Sequence, residues 1–501
     1  MAHFDLSGIS RDSLGVAHYD NRPDSLVAML RRTVDARPDA EALLELDSNG
    51  ETSLRLTYRE LWDRSARVAG GLRASGVRRG DRVAIRLGNG IPWCLAFFGI
   101  QMAGATAVPV NTRFSEQEVE YVVGDSGSGF VFSGGDPLPD GTPFVEYGVG
   151  PADVSAIFYT SGTTGFPKGA MTTQRNFLAN MESCRRVNLV PPGQVRNLVS
   201  VPLFHVTGCN SQLLPTCEAG GTTVIMPQFQ VQAFLRAIVV QSIDVLCSVP
   251  AIYWLAINQQ NFGDFDMSRV QRLMYGGAPT APDLITRILE AFPNARVSNS
   301  YGLTESSSLT TWLPAEYSVT KPESVGVATP IVDLKLDGVS DGVGELMVRG
   351  SNIVAGYWNK PDATADTFVE GWLRTGDLAR IDAEGFVQIV DRKKDMVNRG
   401  GENVYCVEVE SALAAHPDVF ESAVMGVPDA MMGEKVGAVV VPKPGRTIDI
   451  ADVVAFAKSR LADFKVPQYI VVRQEMLPRN PGGKILKKSL RQSVEWGKAL
   501  R

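Results

Sequence analysis

Helix and strand signals alternate along this chain from residue 57 to about residue 330, a pattern that few folds accommodate. Thr57 and Glu60 form a capping-box pair, a hydroxyl and a carboxylate that satisfy each other's free N–H groups at a helix start. Leu61, Trp62, Val68 and Leu72 follow at helical spacing, and the run stops near Gly76. Val83-Ala84-Ile85 reads as a strand, Ser115 to Glu118 as a second capping box, and Phe130-Val131-Phe132 as a further strand. Strands separated by helices predict parallel βαβ units. From Ser324 to Val390 the texture changes to glycines and short β-type runs, Gly344 to Val348 and Gly385 to Val390, which predict a compact β subdomain. Asp391-Arg392-Lys393-Lys394-Asp395 is a charged stretch suited to a linker, and the residues after it read as a small α+β domain. A chain of 501 residues exceeds one ordinary core. The expected fold is therefore α/β, with a large N-terminal domain (1–392) of βαβ subdomains plus a small β subdomain, and a smaller C-terminal α+β domain (393–501).

Charge and composition exclude several classes. The net charge of −6 argues against a diffuse nucleic-acid binder, which carries a basic excess. Met1 to Gly15 lacks the charged-then-apolar order of a signal segment. The longest apolar stretch, Cys94 to Val110, is interrupted by Gly99, Gln101, Gly104 and Pro109, so no integral membrane association is expected. Six cysteines without a CxxC pair read as reduced thiols of a cytoplasmic protein, and the four histidines do not cluster with them into a zinc site.

The strongest chemical signal is Tyr159-Thr160-Ser161-Gly162-Thr163-Thr164-Gly165-Phe166-Pro167-Lys168-Gly169, behind the strand-like Ala156-Ile157-Phe158. Glycines let backbone N–H groups turn toward an anion, the Ser and Thr hydroxyls add donors, and Lys168 adds charge. No Gly-Lys-Ser/Thr stands at Walker A spacing. The string resembles the phosphate loop of the adenylate-forming superfamily, which includes acyl-CoA synthetases, luciferases and the adenylation domains of peptide synthetases. The resemblance holds in order from about Leu56 to Lys488.

Tyr301-Gly302-Leu303-Thr304-Glu305 resembles that family's second nucleotide motif. The resemblance implies a Tyr301 ring on the adenine, Thr304 at the phosphates and Glu305 on Mg²⁺. An aromatic face suits a purine, and a carboxylate with substrate phosphates is the usual Mg²⁺ shell. Gly276-Gly277-Ala278-Pro279 is similar to the family's small-residue loop beside the acyl and adenine pockets, where glycine permits close approach. Thr375-Gly376-Asp377 resembles the motif whose aspartate takes both ribose hydroxyls, a diol matched to a two-oxygen acceptor. Arg392 matches a second ribose and phosphate contact, and Lys394 falls at the family's hinge. Pro478 to Lys487 resembles the C-terminal catalytic loop, with Lys484 bridging the attacking carboxylate and the α-phosphate, where a cation stabilises gathering negative charge. Gly400 and Gly401 correspond to the loop that meets the CoA pantetheine arm. His205, in Pro202 to Gly208, stands where the family places a residue beside the acyl carboxylate.

Two features depart from the pattern or mislead. Gln174 stands where many relatives have histidine, and no role is assigned to it. Gly124-Asp125-Ser126-Gly127 is similar to a serine-protease nucleophile loop, but its βαβ surroundings and the lack of that family's histidine motif set it aside.

The resemblance implies an acid–CoA ligase. It uses ATP and Mg²⁺ to make an acyl-adenylate and transfers the acyl group to coenzyme A, releasing AMP and pyrophosphate. Phe204, Val206 and Cys209 favour an apolar acid, a fatty acid first. An aromatic acid, or an acyl-carrier protein as acceptor, stays open, as does a homodimer. A non-catalytic nucleotide-binding module on the same fold is the rival of a different class, and the presence of both Glu305 and Lys484 speaks against it.

Overall fold

The computed structural model describes residues 3–160, 167–191, 193, 195–277, 280, 282–479 and 485–500. Both predicted capping boxes form: Thr57 starts the helix Tyr58–Ala74 and Ser115 the helix Glu116–Ser126. A third, unanticipated one at Thr173 and Asn176 starts the helix Gln174–Arg186.

Two βαβ sheets make up the large N-terminal part. In the first, Phe130–Ser133, Arg82–Arg86, Thr106–Pro109 and Val154–Thr160 run parallel in that spatial order, and Lys168–Thr173 closes the edge antiparallel. In the second, Arg296–Tyr301, Arg272–Gly276, Val245–Ser248, Arg196–Val199, Thr222–Ile225 and Glu41–Leu46 are parallel neighbours. Its edges are antiparallel: Thr52–Thr57 on one side, Thr311–Leu313 and Val327–Ala328 on the other. These edges depart from the all-parallel expectation; for Thr52–Thr57 the reason is the short turn from Leu46, which leaves no room for a crossover helix.

The apolar stretch from Cys94 lies in the helix Ile91–Met102, buried all round, and not in a span. Among the described residues no helix is long and apolar enough to cross a membrane. Gly99 sets its approach to the helix Tyr58–Ala74, since a Cβ there would lie 2.5 Å from a Val68 methyl. All six cysteines are buried free thiols.

The β-rich stretch forms an antiparallel sheet of Asp333–Ser340, Val343–Arg349, Phe368–Val369, Trp372–Ile381 and Val387–Arg392. The next strand, Val397–Arg399, belongs to a different sheet with Glu402–Val404, Val419–Asp429, Gly433–Pro442 and Tyr469–Val472. The helices Cys406–Ala414 and Ile450–Lys458 contribute Val409, Leu413 and Val453 to the core of this smaller C-terminal domain.

Candidate active site

The two ends of the predicted phosphate string lie on paired antiparallel strands. Tyr159 pairs with Gly169 and Thr160 with Lys168, and the Thr160 hydroxyl donates to the Lys168 carbonyl at 3.4 Å. Ser161, Gly162, Thr163, Thr164 and Gly165 lie outside the described residues, as do Ala278 and Lys484. Lys168 Nζ stands 4.8 Å from the centre of the Tyr357 ring. The Tyr357 hydroxyl donates to Glu305 Oε1 at 2.7 Å, so this ring joins the predicted phosphate lysine to the predicted metal carboxylate. Burial and the Glu305 charge push the Tyr357 phenol up, and it stays a donor.

Glu305 and Thr304 sit on a short 3-10 turn directly after the strand Arg296–Tyr301, at the carboxyl end of the parallel sheet. Open α/β sheets bind ligands at that end. Buried asparagines fasten the turn. Asn352 donates to the Ser306 and Leu309 carbonyls at 3.1 Å each, Asn210 donates to the Ser307 carbonyl at 3.0 Å, and Asn180 accepts from the Leu309 N–H at 2.9 Å. Gly302 is fixed by packing, because a Cβ there would fall 1.3 Å from the Ser308 carbonyl oxygen. Gly276 ends the neighbouring strand opposite Ser300, and a Cβ on it would lie 2.6 Å from the Ser300 carbonyl oxygen. Gly277 follows with φ 78°, a conformation natural only to glycine.

The residues predicted to meet the nucleoside are also connected to one another. The Tyr301 hydroxyl donates to Asp377 Oδ2 at 2.6 Å, and Arg392 Nε lies 3.1 Å from Asp377 Oδ1. Asp377 and Arg392 face each other across adjacent strands. Burial, reinforced by the Asp377 charge, raises the Tyr301 phenol well above its usual range. Each carboxylate oxygen accepts more than one hydrogen bond, so Asp377 keeps capacity for a diol.

His205 caps the short turn Val206–Gly208, its Nδ1 accepting from the Thr207 N–H at 3.4 Å. Burial lowers its imidazole pKa, which favours the neutral form. The following π-turn, Cys209–Leu213, is tied to the Glu305 turn by Asn210 and by Ser211, whose hydroxyl donates to that of Ser308 at 2.7 Å. His205 therefore belongs to the same frame as Tyr301 and Glu305.

The C-terminal residues divide. Arg479 is bridged to Ile485, and the Leu486 N–H donates to the Pro478 carbonyl at 2.7 Å. Glu421 holds the base of this stretch through the Leu477 N–H and Arg479. The adjacent Phe420 ring meets Trp254 of the helix Pro250–Ile257 at 4.5 Å between centroids, so the foot of the Lys484 loop leans on the N-terminal domain. Gly400 and Gly401, with φ 63° and 92°, make the turn between Val397–Arg399 and Glu402–Val404. Their hydrogen bonds stay within the C-terminal domain, to Met432 and Asn398.

Tyr357, Asn180, Asn210 and Asn352 were not singled out from the sequence. Isolated asparagines carry no pattern, and only Gly356-Tyr357-Trp358, an aromatic pair behind a glycine, offered a signal for Tyr357. Gln174 now has a place: buried, it accepts from the Leu26 N–H and donates to Gln101, a packing role.

Among the described residues no three His, Cys, Asp or Glu side chains converge as a metal cage. Glu305 has one carboxylate oxygen on Tyr357, and its other oxygen has no hydrogen bond among the described residues. That donor set fits a Mg²⁺ ion that draws the rest of its shell from phosphates and water.

The AMP-binding enzyme family model matches residues 30–143 and 136–358, and the model for the AMP-binding enzyme C-terminal domain matches residues 408–484. The chain is 36% identical over 465 residues to the feruloyl-CoA synthase of Amycolatopsis sp, covering 87% of this chain and 94% of that protein. It is 35% identical over 501 residues to the long-chain-fatty-acid–CoA ligase FadD13 of Mycobacterium tuberculosis, covering 93% and 97% respectively. The solved o-succinylbenzoate CoA synthetase of Bacillus subtilis, in complex with its acyl-adenylate intermediate, superposes with a TM-score of 0.84 at 29% identity, over 96% of this chain and 99% of that one. Motif order, sheet-end geometry and these likenesses agree, and the chain belongs to the AMP-binding enzyme family of the adenylate-forming superfamily, as an acyl-CoA-synthetase-like member.

Proposed function

We propose that the chain is an AMP-forming acid–CoA ligase whose two half-reactions use the residues gathered around Tyr301, Glu305 and Asp377. The observation that carries this reading is the Tyr357 ring joining Lys168 to Glu305, beside Tyr301 bonded to Asp377. A phosphate cation, a metal carboxylate and a nucleoside acceptor are thereby gathered around the end of one sheet.

Thr160 to Lys168 hold the β- and γ-phosphates, Tyr301 offers its ring to adenine, and Asp377 with Arg392 takes the ribose hydroxyls. Gly276, Gly277 and Ala278 let the nucleotide and the acid approach the backbone. Glu305 holds Mg²⁺, which when bound neutralises phosphate charge. The substrate carboxylate attacks the α-phosphorus, the bond to the bridging oxygen breaks, and pyrophosphate leaves. Lys484 stabilises the negative charge shared by carboxylate and α-phosphate. The CoA thiolate then attacks the acyl carbonyl, forming the thioester and expelling AMP. For this step the C-terminal domain, bounded at residue 393, turns about Lys394 and brings Gly400 and Gly401 to the thiol.

The acid is a fatty acid, supported by the likeness to a long-chain-fatty-acid–CoA ligase, and CoA rather than a carrier protein is the acceptor. An aromatic acid is the second reading, favoured by the likeness to a feruloyl-CoA synthase. Six buried thiols suit the reducing cytoplasm. The test is acid-dependent AMP release over a panel of carboxylic acids, with and without CoA, with products identified by mass. Acyl-CoA with AMP is the expected result. Acyl-adenylate and pyrophosphate without thioester defeats the CoA assignment, and no turnover with any acid defeats the ligase reading.

A further inference from the structure

Asp125 lies in the Gly124-Asp125-Ser126-Gly127 stretch, which forms the C-terminal turn of the helix Glu116–Ser126, with Gly127 as a left-handed cap. A helix C-terminus favours cations, so a carboxylate there sits at the wrong pole for the helix itself. Its side chain is only 10% exposed, and apart from Tyr121 of the same helix its partners come from elsewhere in the chain. Tyr159 donates its hydroxyl to Oδ2 at 2.7 Å. Lys360 Nζ reaches Oδ1 at 3.1 Å, and Tyr121 donates to the same oxygen at 3.4 Å. The Asp125 carbonyl accepts from the Trp358 indole at 3.1 Å and from the Asn359 amide at 3.3 Å.

These partners lie behind two parts of one site. Tyr159 is the first residue of the phosphate string, directly before Thr160. Trp358 to Lys360 directly follow Tyr357, which bonds Glu305 and faces Lys168. The Trp358 N–H also donates to the Gly169 carbonyl at 2.8 Å, at the return of the same hairpin. We propose that Asp125 is a positioning residue for the ATP phosphates: through Tyr159 and the 358–360 segment it fixes the foot of the phosphate hairpin against the Tyr357–Glu305 pair. Asp125 touches neither ATP nor acid, and this role rests on the reading that Thr160 to Lys168 hold the β- and γ-phosphates. It follows that Asp125 matters while pyrophosphate is being displaced and not when the thiol attacks a formed adenylate.

The test measures ATP–pyrophosphate exchange, and separately acyl transfer to CoA from supplied acyl-adenylate, in Asp125→Ala, Asp125→Asn, Tyr159→Phe and Lys168→Ala. Loss of a charged hydrogen-bond centre is expected to raise the KM for ATP on the order of tenfold in Asp125→Ala. Acyl transfer from supplied adenylate stays within about twofold of wild type. Asp125→Asn keeps an oxygen for Tyr159 and recovers part of the loss. Tyr159→Phe removes one hydroxyl, raises the KM for ATP in the same sense, and decides the question if Asp125→Ala does not fold. An unchanged KM for ATP in Asp125→Ala and Tyr159→Phe, or equal loss of both half-reactions, overturns the proposal. Lys168→Ala separates the two levels. If it weakens ATP use while the Asp125 and Tyr159 variants do not, only the positioning role fails; if it leaves ATP use intact, the phosphate reading falls and the role falls with it.

Discussion

At the scale of single residues, Tyr357 has the clearest consequences. Its hydroxyl donates to Glu305, the carboxylate that we propose holds Mg²⁺, and a group that orients such a ligand affects metal affinity without touching the metal. Tyr357→Phe is expected to raise the Mg²⁺ concentration for half-maximal pyrophosphate exchange by about tenfold and to leave the KM for the acid unchanged. A magnesium titration of the exchange rate checks this, and equal effects on both parameters would point to general damage. Lys484→Ala removes the cation that we propose serves the adenylation transition state. Pyrophosphate exchange is expected to fall by about a hundredfold or more, with acyl transfer from supplied adenylate preserved. Exchange within about threefold of wild type would remove Lys484 from the catalytic set.

Among the elements, the turn from Tyr301 to Ser308 carries most of the site and has almost no freedom. Its backbone is held by Asn180, Asn210 and Asn352. Its glycine admits no Cβ, because the Ser308 carbonyl occupies that space. Gly302→Ala therefore has to move backbone, and a loss of about 2–4 kcal/mol is expected, read from the urea midpoint, together with a loss of exchange activity. A variant of unchanged midpoint and activity would show that the turn yields more easily than this packing implies. The capping boxes at Thr57 and Ser115 were legible because a cap is local chemistry, with both partners within one turn of chain. The asparagines were not, because each acts on a turn far along the sequence.

For the whole molecule, the junction between the domains is the critical place. Asp391 ends the N-terminal part, yet it accepts from the Cys406 N–H of the C-terminal part at 2.5 Å and lies near Lys487, which is paired with Glu410 at 2.7 Å. Burial outweighs Lys487 and pushes Asp391 up to about 6, against an unperturbed value of 3.8. The folded state therefore holds the Asp391 proton more tightly than the unfolded chain does. Its contribution is fully present below about pH 4 and is lost as pH rises through about 6, a difference of roughly 3 kcal/mol. Asp391→Asn is expected to gain on wild type in Tm as pH rises from 4 to 7, and a constant difference across that range would contradict the assignment. The Lys394 N–H has no hydrogen bond among the described residues, so proline there removes no backbone hydrogen bond. Lys394→Pro is expected to keep pyrophosphate exchange within about threefold and to lose about tenfold or more in thioester formation. Equal loss in both half-reactions would count against a turning domain.

By itself the sequence determined the α/β class, the change of texture after residue 324 and the order of the nucleotide motifs, because caps, periodicity and glycine-rich strings act over short spans of chain. It also marked Tyr301, Glu305, Asp377 and Arg392, each through the resemblance of a short string to a family motif. Only the tertiary structure decided that Tyr357 joins Lys168 to Glu305, that Asp125 stands behind the phosphate hairpin, and that Gln174 is a packing residue. Those contacts join residues from 34 to 235 positions apart, and the spacing of a lone tyrosine, aspartate or glutamine says nothing about which distant group will close upon it.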